Sequence, residues 1–259
     1  MKIIWNSFWA AIAMYSRLPA AKTDWKAENR KYALCFFPVI GVVLGLCLYI
    51  WFAISNQFGV QRVLYAIVAA LLPVFITGGI HIDGFMDVCD ARTCLGDRDK
   101  QLQVMKDPNV GAFAVIWMMV YILLQTGCFY QSDTESAVVI LAAGYVMSRA
   151  FSGLAAVTMK NARGEGSLMA FSEPANKWVT VCVEMVWILT SAGVMIGVNT
   201  GMGICTVMAA VVVYVYYGIT SYRRFGGITG DLEGYFVEIV ELWMLVVVTA
   251  WCVIRGMQG

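Results

Sequence analysis

Three aspartates with helical spacing are the first sign of chemistry in this sequence. Asp83, Asp87 and Asp90 lie at i, i+4 and i+7, which places them on one face of a helix. Like charges so placed repel, by about 1 kcal/mol per pair in water and about 4 kcal/mol at an intermediate dielectric. Such a ridge indicates a bound cation, and carboxylate oxygens suit Mg²⁺. The alternative is a solvated polar face, but no basic residue follows the first acid until Arg92.

A second acidic segment precedes the last apolar run. Both segments contain Gly-Gly-Ile-x-x-Asp, with Asp83 and Asp231 as the final residues. Paired glycines let the backbone approach a ligand closely, and the N-terminus of a following helix favours phosphate. Asp231, Glu238 and Glu241 form another helical stripe, in which Glu241 lies about 15 Å from Asp231 along the axis. A carboxylate inside a membrane is expected to be functional.

Cations and a histidine accompany these acids. Arg149 falls within an apolar run, about 13 Å from its end, and the loop Asn161–Gly166 carries Arg163. An enzyme that transfers a phosphorus-bearing group needs carboxylates to bind a metal and arginines to bind phosphate, and this sequence contains both. His81, the sole histidine, is either a general base or a structural residue.

The composition predicts where these residues are held. Of 259 residues, 60% are hydrophobic and 14% charged, and the mean hydropathy is +0.72. These values exclude a disordered protein, a basic nucleic-acid-binding domain and an ordinary cytosolic enzyme. Because a spanning helix needs about 20 apolar residues, we predict an all-α, polytopic membrane bundle. Its seven candidate spans are Ala33–Ile54, Val60–Ile80, Val110–Tyr130, Ser136–Thr158, Trp178–Val198, Gly201–Thr220 and Tyr235–Ile254.

The distribution of charge orients the bundle. With seven spans, all but two of the 18 Lys and Arg lie on one side, the exceptions being Arg62 and Arg255. The positive-inside rule then predicts a cytoplasmic N-terminus and an external C-terminus. Residues 1–259 are expected to form one membrane-embedded domain, whose arm 1–32 carries a short interfacial helix at Ile3–Met14. The cysteines show neither a disulfide framework nor zinc-ligand spacing.

Together the motifs resemble those of the cobalamin synthase family, the adenosylcobinamide-GDP ribazoletransferases. The resemblance covers nearly the whole chain, and its most specific parts are the two glycine- and aspartate-containing blocks. The segments that carry it are Ser16–Pro19, Phe37–Gly41, GGIHIDGFMDVCDA at 78–91, Met105–Asp107 with Gly111, Ser148–Arg149, ARGEG at 162–166, and GGITGD at 226–231 with Gly234, Glu238 and Glu241.

The resemblance implies a Mg²⁺-dependent reaction. A ribose hydroxyl of α-ribazole, or of its 5′-phosphate, attacks the cobinamide-side phosphorus of adenosylcobinamide-GDP, and GMP leaves. The implied catalytic residues are His81, Asp83, Asp87 and Asp231, with either the histidine or an aspartate as base. The implied metal ligands are Asp83, Asp87, Asp90, Asp231 and Glu238. The implied substrate and phosphate contacts are Lys106, Asp107, Arg149, Arg163, Glu165, Gly227 and Thr229.

The resemblance also implies a bacterial or archaeal plasma membrane, a cytoplasmic active face, a lipid bilayer as surroundings and no nucleic acid as partner. It leaves monomer and homo-oligomer open. Two rival interpretations remain. One is a CDP-alcohol phosphotransferase, whose Asp-Gly-x-x-Ala-Arg signature is not matched after Asp83-Gly84. The other is a divalent-cation transporter, whose ligands are expected near the membrane midplane rather than at the boundary where these acids fall.

Overall fold

Helices account for nearly all of the described chain. The computed structural model describes residues 2–22, 24–94 and 96–256. The helices are α1 (Lys2–Tyr15), α2 (Ala27–Arg30), α3 (Phe37–Phe58), α4 (Arg62–Thr77), α5 (Ile80–Thr93), α6 (Arg98–Val104), α7 (Ala112–Gln131), α8 (Glu135–Thr158), α9 (Ser167–Ser172), α10 (Lys177–Val198), α11 (Thr200–Thr220) and α12 (Gly230–Gly256). A 3₁₀ turn (Leu34–Phe36) leads into α3, and a π turn (Ser221–Phe225) extends α11.

The helices have the lengths and compositions of a polytopic membrane protein. Within the described ranges, α3, α7, α8, α10, α11 and α12 are each long and apolar enough to cross a bilayer, and α4 with α5 makes a bent seventh candidate. The predicted fold class is confirmed. Large apolar side chains remain exposed on the outer helices, such as Leu123 at 68% and Trp178 at 80%. In a membrane these side chains contact acyl chains.

The second predicted span differs from the structure at its inner end. The sequence predicts an apolar helix from Val60 to Ile80, whereas α4 ends at Thr77 and α5 leaves it at an angle of 97°. Gly78 and Gly79 have φ of 70° and 82°, a backbone conformation that glycine adopts without steric cost. The bend turns the aspartate-containing segment into a separate 14-residue helix.

Two further boundaries affect the site. The first span begins at Phe37 rather than Ala33 because the residues before it form the 3₁₀ turn. The last helix begins at Gly230 rather than Tyr235. The Thr229 hydroxyl accepts a hydrogen bond from the Leu232 amide, which caps the earlier start. Asp231 therefore lies in the first turn of α12.

The interior of the bundle is organised around α8, which packs against α3, α10 and α12. Its buried residues extend along nearly its whole length. The predicted N-terminal helix exists as α1, and its interfacial position stays a prediction. The chain after α1 is fixed to the bend, because the Arg17 amide donates to the Ile76 carbonyl at 2.8 Å. The N-terminal arm is thereby held beside α5.

Candidate active site

The first turns of α5 and α12 meet at a close helix crossing. A Cβ atom on Gly84 would lie 2.8 Å from the Asp231 carbonyl oxygen, and one on Gly234 would lie 2.9 Å from the His81 carbonyl oxygen. Only glycine at these positions allows the two backbones to touch. The repeated Gly-Gly-Ile-x-x-Asp segments thus belong to two helices that begin at one place.

A cavity of about 180 Å³ opens at this crossing. Three carboxylates, Asp83, Asp231 and Glu233, line it together with His81. The positive ends of two helix dipoles therefore face the same space as several acids. Helix N-termini favour anions, whereas carboxylates favour cations. The cavity can accommodate a cation and a phosphate side by side.

Asp87 continues the acidic face beyond the cavity. Its partly buried carboxylate is repelled by the carboxylates of Asp83, Asp90 and Asp231. The positive charge of Arg163 partly offsets that repulsion. The Arg163 guanidinium donates to the Asp231 carboxylate at 2.7 Å. The structure therefore brings together three of the predicted acids with one predicted phosphate contact, drawn from α5, α12 and the loop after α8.

The carboxylate oxygens that line the cavity suit Mg²⁺ as ligands. Among the described residues, no three His, Cys, Asp or Glu side chains converge as they would around a fully protein-ligated metal. Mg²⁺ is usually held by one or two carboxylates, with water and substrate phosphates completing its shell. Asp83 and Asp231, which both line the cavity, meet that requirement. Mg²⁺ binding remains a prediction.

The Asp90 carboxylate has a structural role at the start of α7. Its carboxylate accepts hydrogen bonds from the Gly111 amide at 2.6 Å and the Ala114 amide at 2.8 Å. Those amides belong to the start of α7, whose free N–H groups need such partners. Asp90 therefore fixes α7 against α5. Its role as a metal ligand stays a prediction, and each of its two carboxylate oxygens already accepts one hydrogen bond.

The loops after α8 and before α12 are joined directly. The Ala162 amide donates to the Ile228 carbonyl, and the Ile228 amide donates to the Lys160 carbonyl, each at 2.8 Å. A Cβ on Gly227 would strike that Lys160 carbonyl. Gly227 therefore allows the loops to pair, and Thr229 caps α12. The contacts seen at these two predicted phosphate-binding residues are structural.

Lys106 and Glu165 form an exposed ion pair between the loop after α6 and the loop after α8. The hydrogen bond from Lys106 lowers the pKa of Glu165. In Asp107 the carboxylate accepts two hydrogen bonds from Asn109, at 2.9 and 2.7 Å, and these lower its pKa. Asp107 thus shapes the turn after α6, while Lys106 lies near the loop that carries Arg163.

Two predicted residues lie deeper in the bundle. Arg149 is fully buried and pairs with Glu241 of α12, whose carboxylate also accepts from Ser148 at 2.6 Å. Glu238 accepts a hydrogen bond from the Tyr121 hydroxyl of α7. Neither Arg149 nor Glu238 lines the cavity. Arg149 retains two nitrogens, Nε and Nη2, without a hydrogen-bond partner in the described part of the chain.

The Arg149–Glu241 pair makes a testable prediction. We expect Arg149→Met to lower the free energy of unfolding by about 3–5 kcal/mol, because Glu241 is left buried without its cation. The double variant Arg149→Met with Glu241→Leu should regain most of that loss. Denaturation in mixed micelles, followed by circular dichroism, measures both. An unfolding free energy of Arg149→Met equal to that of the wild type, together with a strongly raised KM, would instead indicate that Arg149 binds phosphate.

Several residues that line the cavity were not predicted from the sequence, among them Glu233, Tyr15 and Ser152. Glu233 lines it and accepts hydrogen bonds from Ser152 and, at 2.9 Å, from the Tyr217 hydroxyl. Tyr15 reaches the cavity from the end of α1. Glu233 is two residues from Asp231, off the predicted acidic stripe, and only the early start of α12 places both acids at one cavity. Nothing in the spacing signals Tyr15 or Ser152.

Comparison with known proteins assigns the family. The family model described as cobalamin-5-phosphate synthase matches residues 7–249. The chain belongs to this family. A protein of Lachnoclostridium phytofermentans named adenosylcobinamide-GDP ribazoletransferase is 35% identical over 97% of both chains.

Other similar proteins carry the same name as that relative. The protein of Chlorobaculum parvum is 32% identical, over 93% of this chain and 94% of its own. That of Clostridium perfringens strain 13 is 26% identical, over 93% and 96%. No solved structure matches. The cobalamin-5-phosphate synthase match extends through both loops, α5 and nearly all of α12, so the whole candidate site lies inside it.

Proposed function

We propose that the protein is an adenosylcobinamide-GDP ribazoletransferase. A ribose hydroxyl of α-ribazole, or of its 5′-phosphate, attacks the cobinamide-side phosphorus of adenosylcobinamide-GDP. The new P–O bond gives adenosylcobalamin or its 5′-phosphate, and the bond to GMP breaks. GMP leaves with the bridging oxygen, and the hydroxyl proton passes to a base in the site. The names of relatives over nearly the full chain support this reaction.

The observation that carries the proposal is the acidic cavity at the crossing of α5 and α12. Transfer of a phosphoryl group between two oxygens is achieved mainly by positioning and by stabilising charge on the transferred group. Asp83 and Asp231 line the cavity next to two helix N-termini, and they would hold the metal ion there. Arg163, already beside Asp231, supplies positive charge to a phosphate in the cavity.

Mg²⁺ is part of the proposal. When bound, it neutralises negative charge on the pyrophosphate and polarises its oxygens. Asp83 and Asp231 are the ligands we assign to it, and the Asp87 carboxyl group interacts electrostatically with both. These three acids interact with one another, so an ion at Asp83 and Asp231 also relieves their repulsion.

His81 is one of two candidate bases. Its ring lines the cavity, is 5% exposed, and leaves Nε2 without a hydrogen-bond partner among the described residues. A neutral imidazole with a free nitrogen accepts the proton of an attacking hydroxyl. The neighbouring Asp83 is the alternative. His81→Gln separates the two, because it should remove an ionisation from the pH dependence of the rate if His81 is the base.

We place the cavity at the cytoplasmic face of a bacterial or archaeal plasma membrane. The loops around it hold much of the basic charge, including Arg98, Lys106 and Arg163, which the positive-inside rule assigns to the cytoplasm. Highly charged nucleotide substrates then enter the cavity from the aqueous phase without crossing the bilayer.

The decisive test is GMP release by the purified protein in lipid nanodiscs. We expect GMP only when adenosylcobinamide-GDP, α-ribazole or its phosphate, and Mg²⁺ are all present. Chelation by EDTA should abolish release, and added Mg²⁺ should restore it. Consumption of CDP-diacylglycerol with no GMP from adenosylcobinamide-GDP would show a CDP-alcohol phosphotransferase instead. Uptake of divalent cations into vesicles without turnover would show a transporter.

A further inference from the structure

Two apolar grooves meet at Arg92, on the side of α5 away from the acidic face. Phe85, Cys89 and Arg92 each follow one of the three aspartates by two residues, a rotation of about 200° around the helix. The first groove, about 390 Å³, lies between α5, α7 and α12. The second, about 440 Å³, lies between α11 and α12. None of the described residues lines both a groove and the acidic cavity.

The two grooves share a polar junction. Arg92 and Tyr235 line both of them. The Arg92 guanidinium lies 5.3 Å from the centre of the Tyr235 ring and donates a hydrogen bond to its hydroxyl. Arg224, on the π turn just before α12, adds a second guanidinium to the first groove. The positive charge is thus concentrated at one place, with an apolar channel on each side.

No described carboxylate pairs with either arginine. Asp90, two residues before Arg92, is engaged by the Gly111 and Ala114 amides. The junction therefore presents net positive charge to any ligand that reaches it. Anionic groups at a membrane surface are attracted to such charge, and basic pockets between spanning helices bind anionic lipid headgroups.

Below the junction the walls are apolar and face outward. Along α12 they run from Tyr235 through Ile239 to Trp243, about 12 Å at 1.5 Å per residue. Trp117 on α7 and Val212 on α11 are 48% and 64% exposed. The charged end lies beside the start of α12 and the apolar part extends towards its middle. This polarity matches a lipid, with its headgroup at the surface and its chains directed inward.

We propose that the Arg92–Tyr235–Arg224 junction binds an anionic glycerophospholipid, with its phosphate between the guanidiniums and one acyl chain in each groove. The paired grooves fit a two-chain amphiphile, and the two cations fit a headgroup of net negative charge. A zwitterionic lipid offers the same phosphate but cancels its charge, so the site discriminates between the two classes.

Native mass spectrometry of the detergent-purified protein tests this, with dioleoyl phosphatidylglycerol as ligand and dioleoyl phosphatidylcholine as reference. One surface cation typically strengthens the binding of an anionic lipid about fivefold. Arg224→Gln should therefore weaken phosphatidylglycerol binding about fivefold, and the double variant Arg92→Gln with Arg224→Gln should weaken it about 30-fold. Arg223→Gln is the matched control, because Arg223 is an exposed neighbour that lines neither groove. It should bind like the wild type.

Three results would overturn the proposal. Equal binding of phosphatidylcholine and phosphatidylglycerol would remove the role of charge. Loss of binding in Arg223→Gln as large as in Arg224→Gln would show a diffuse basic surface. Displacement of the lipid by millimolar inorganic phosphate, or by a corrinoid, would assign the junction to a soluble ligand. Because Arg224 is exposed on a turn, its single variant is informative even where the double variant does not fold.

Discussion

Replacing Asp83 with Asn should slow GMP release by a factor of about 10² to 10³, the range found when one group that stabilises transferred charge is removed. Asp83 projects into the cavity from the first turn of α5, and the amide keeps its size while losing its charge. We expect the apparent affinity for Mg²⁺ to fall as well. Asp231→Asn should behave similarly and should also release Arg163 from its ion pair. Steady-state release of GMP at several Mg²⁺ concentrations measures both effects.

Asp133→Asn is the matched control for the aspartate variants. Asp133 pairs with Arg62 at 2.5 Å, in the loop between α7 and α8, and lies outside the cavity lining. Partly exposed ion pairs contribute about 0–1 kcal/mol to stability, so this variant should fold and turn over normally. Wild-type turnover in Asp83→Asn or Asp231→Asn would contradict the metal assignment.

Replacing Gly84 with Ala should abolish most activity without removing any charged group. The added Cβ would lie 2.8 and 2.9 Å from the carbonyl oxygen and Cα of Asp231. Both contacts are with backbone, so α5 and α12 have to move apart. A displacement of about 1 Å can cost about 10²-fold in rate. We expect kcat to fall at least that far, with a lower unfolding temperature, in turnover and thermal-unfolding assays.

Gly193→Ala is the matched substitution for Gly84→Ala. Gly193 also lies inside a helix, α10, but a Cβ there would meet nothing within 4 Å. The same change should leave the rate unaltered and increase stability slightly, because alanine favours helix by about 1 kcal/mol over glycine. Equal rates for the Gly84 and Gly193 variants would mean that the close crossing does not position the site.

The sequence predicted the parts of the fold that follow from local pattern. Seven apolar runs predicted the ends of the spans to within five residues, because length and hydropathy alone determine whether a helix can cross a membrane. The spacing of Asp83 and Asp87 predicted a helical acidic face for the same local reason. The bend after Thr77 was missed because glycine pairs permit a left-handed backbone without requiring one.

The remaining parts of the site depend on contacts between distant segments. In the sequence pattern Asp90 is indistinguishable from Asp83 and Asp87. In the structure it caps α7, because the Gly111 amide, 21 residues later in the chain, donates a hydrogen bond to it. Arg149 was expected at phosphate, whereas the structure pairs it with Glu241. Glu233 enters the cavity only because α12 begins before it. None of these arrangements is encoded in the spacing within a single helix.

We propose that a metal ion and the substrate pyrophosphate meet at the crossing of α5 and α12. The most direct measurement is a crystal structure with Mn²⁺ in place of Mg²⁺ and a guanosine diphosphate ester bound, with data collected for manganese anomalous scattering. We expect an anomalous peak within bonding distance of the Asp83 and Asp231 carboxylates, with the pyrophosphate beside it and Arg163 turned towards it. Metal and nucleotide bound together at any site that excludes both aspartates would contradict it.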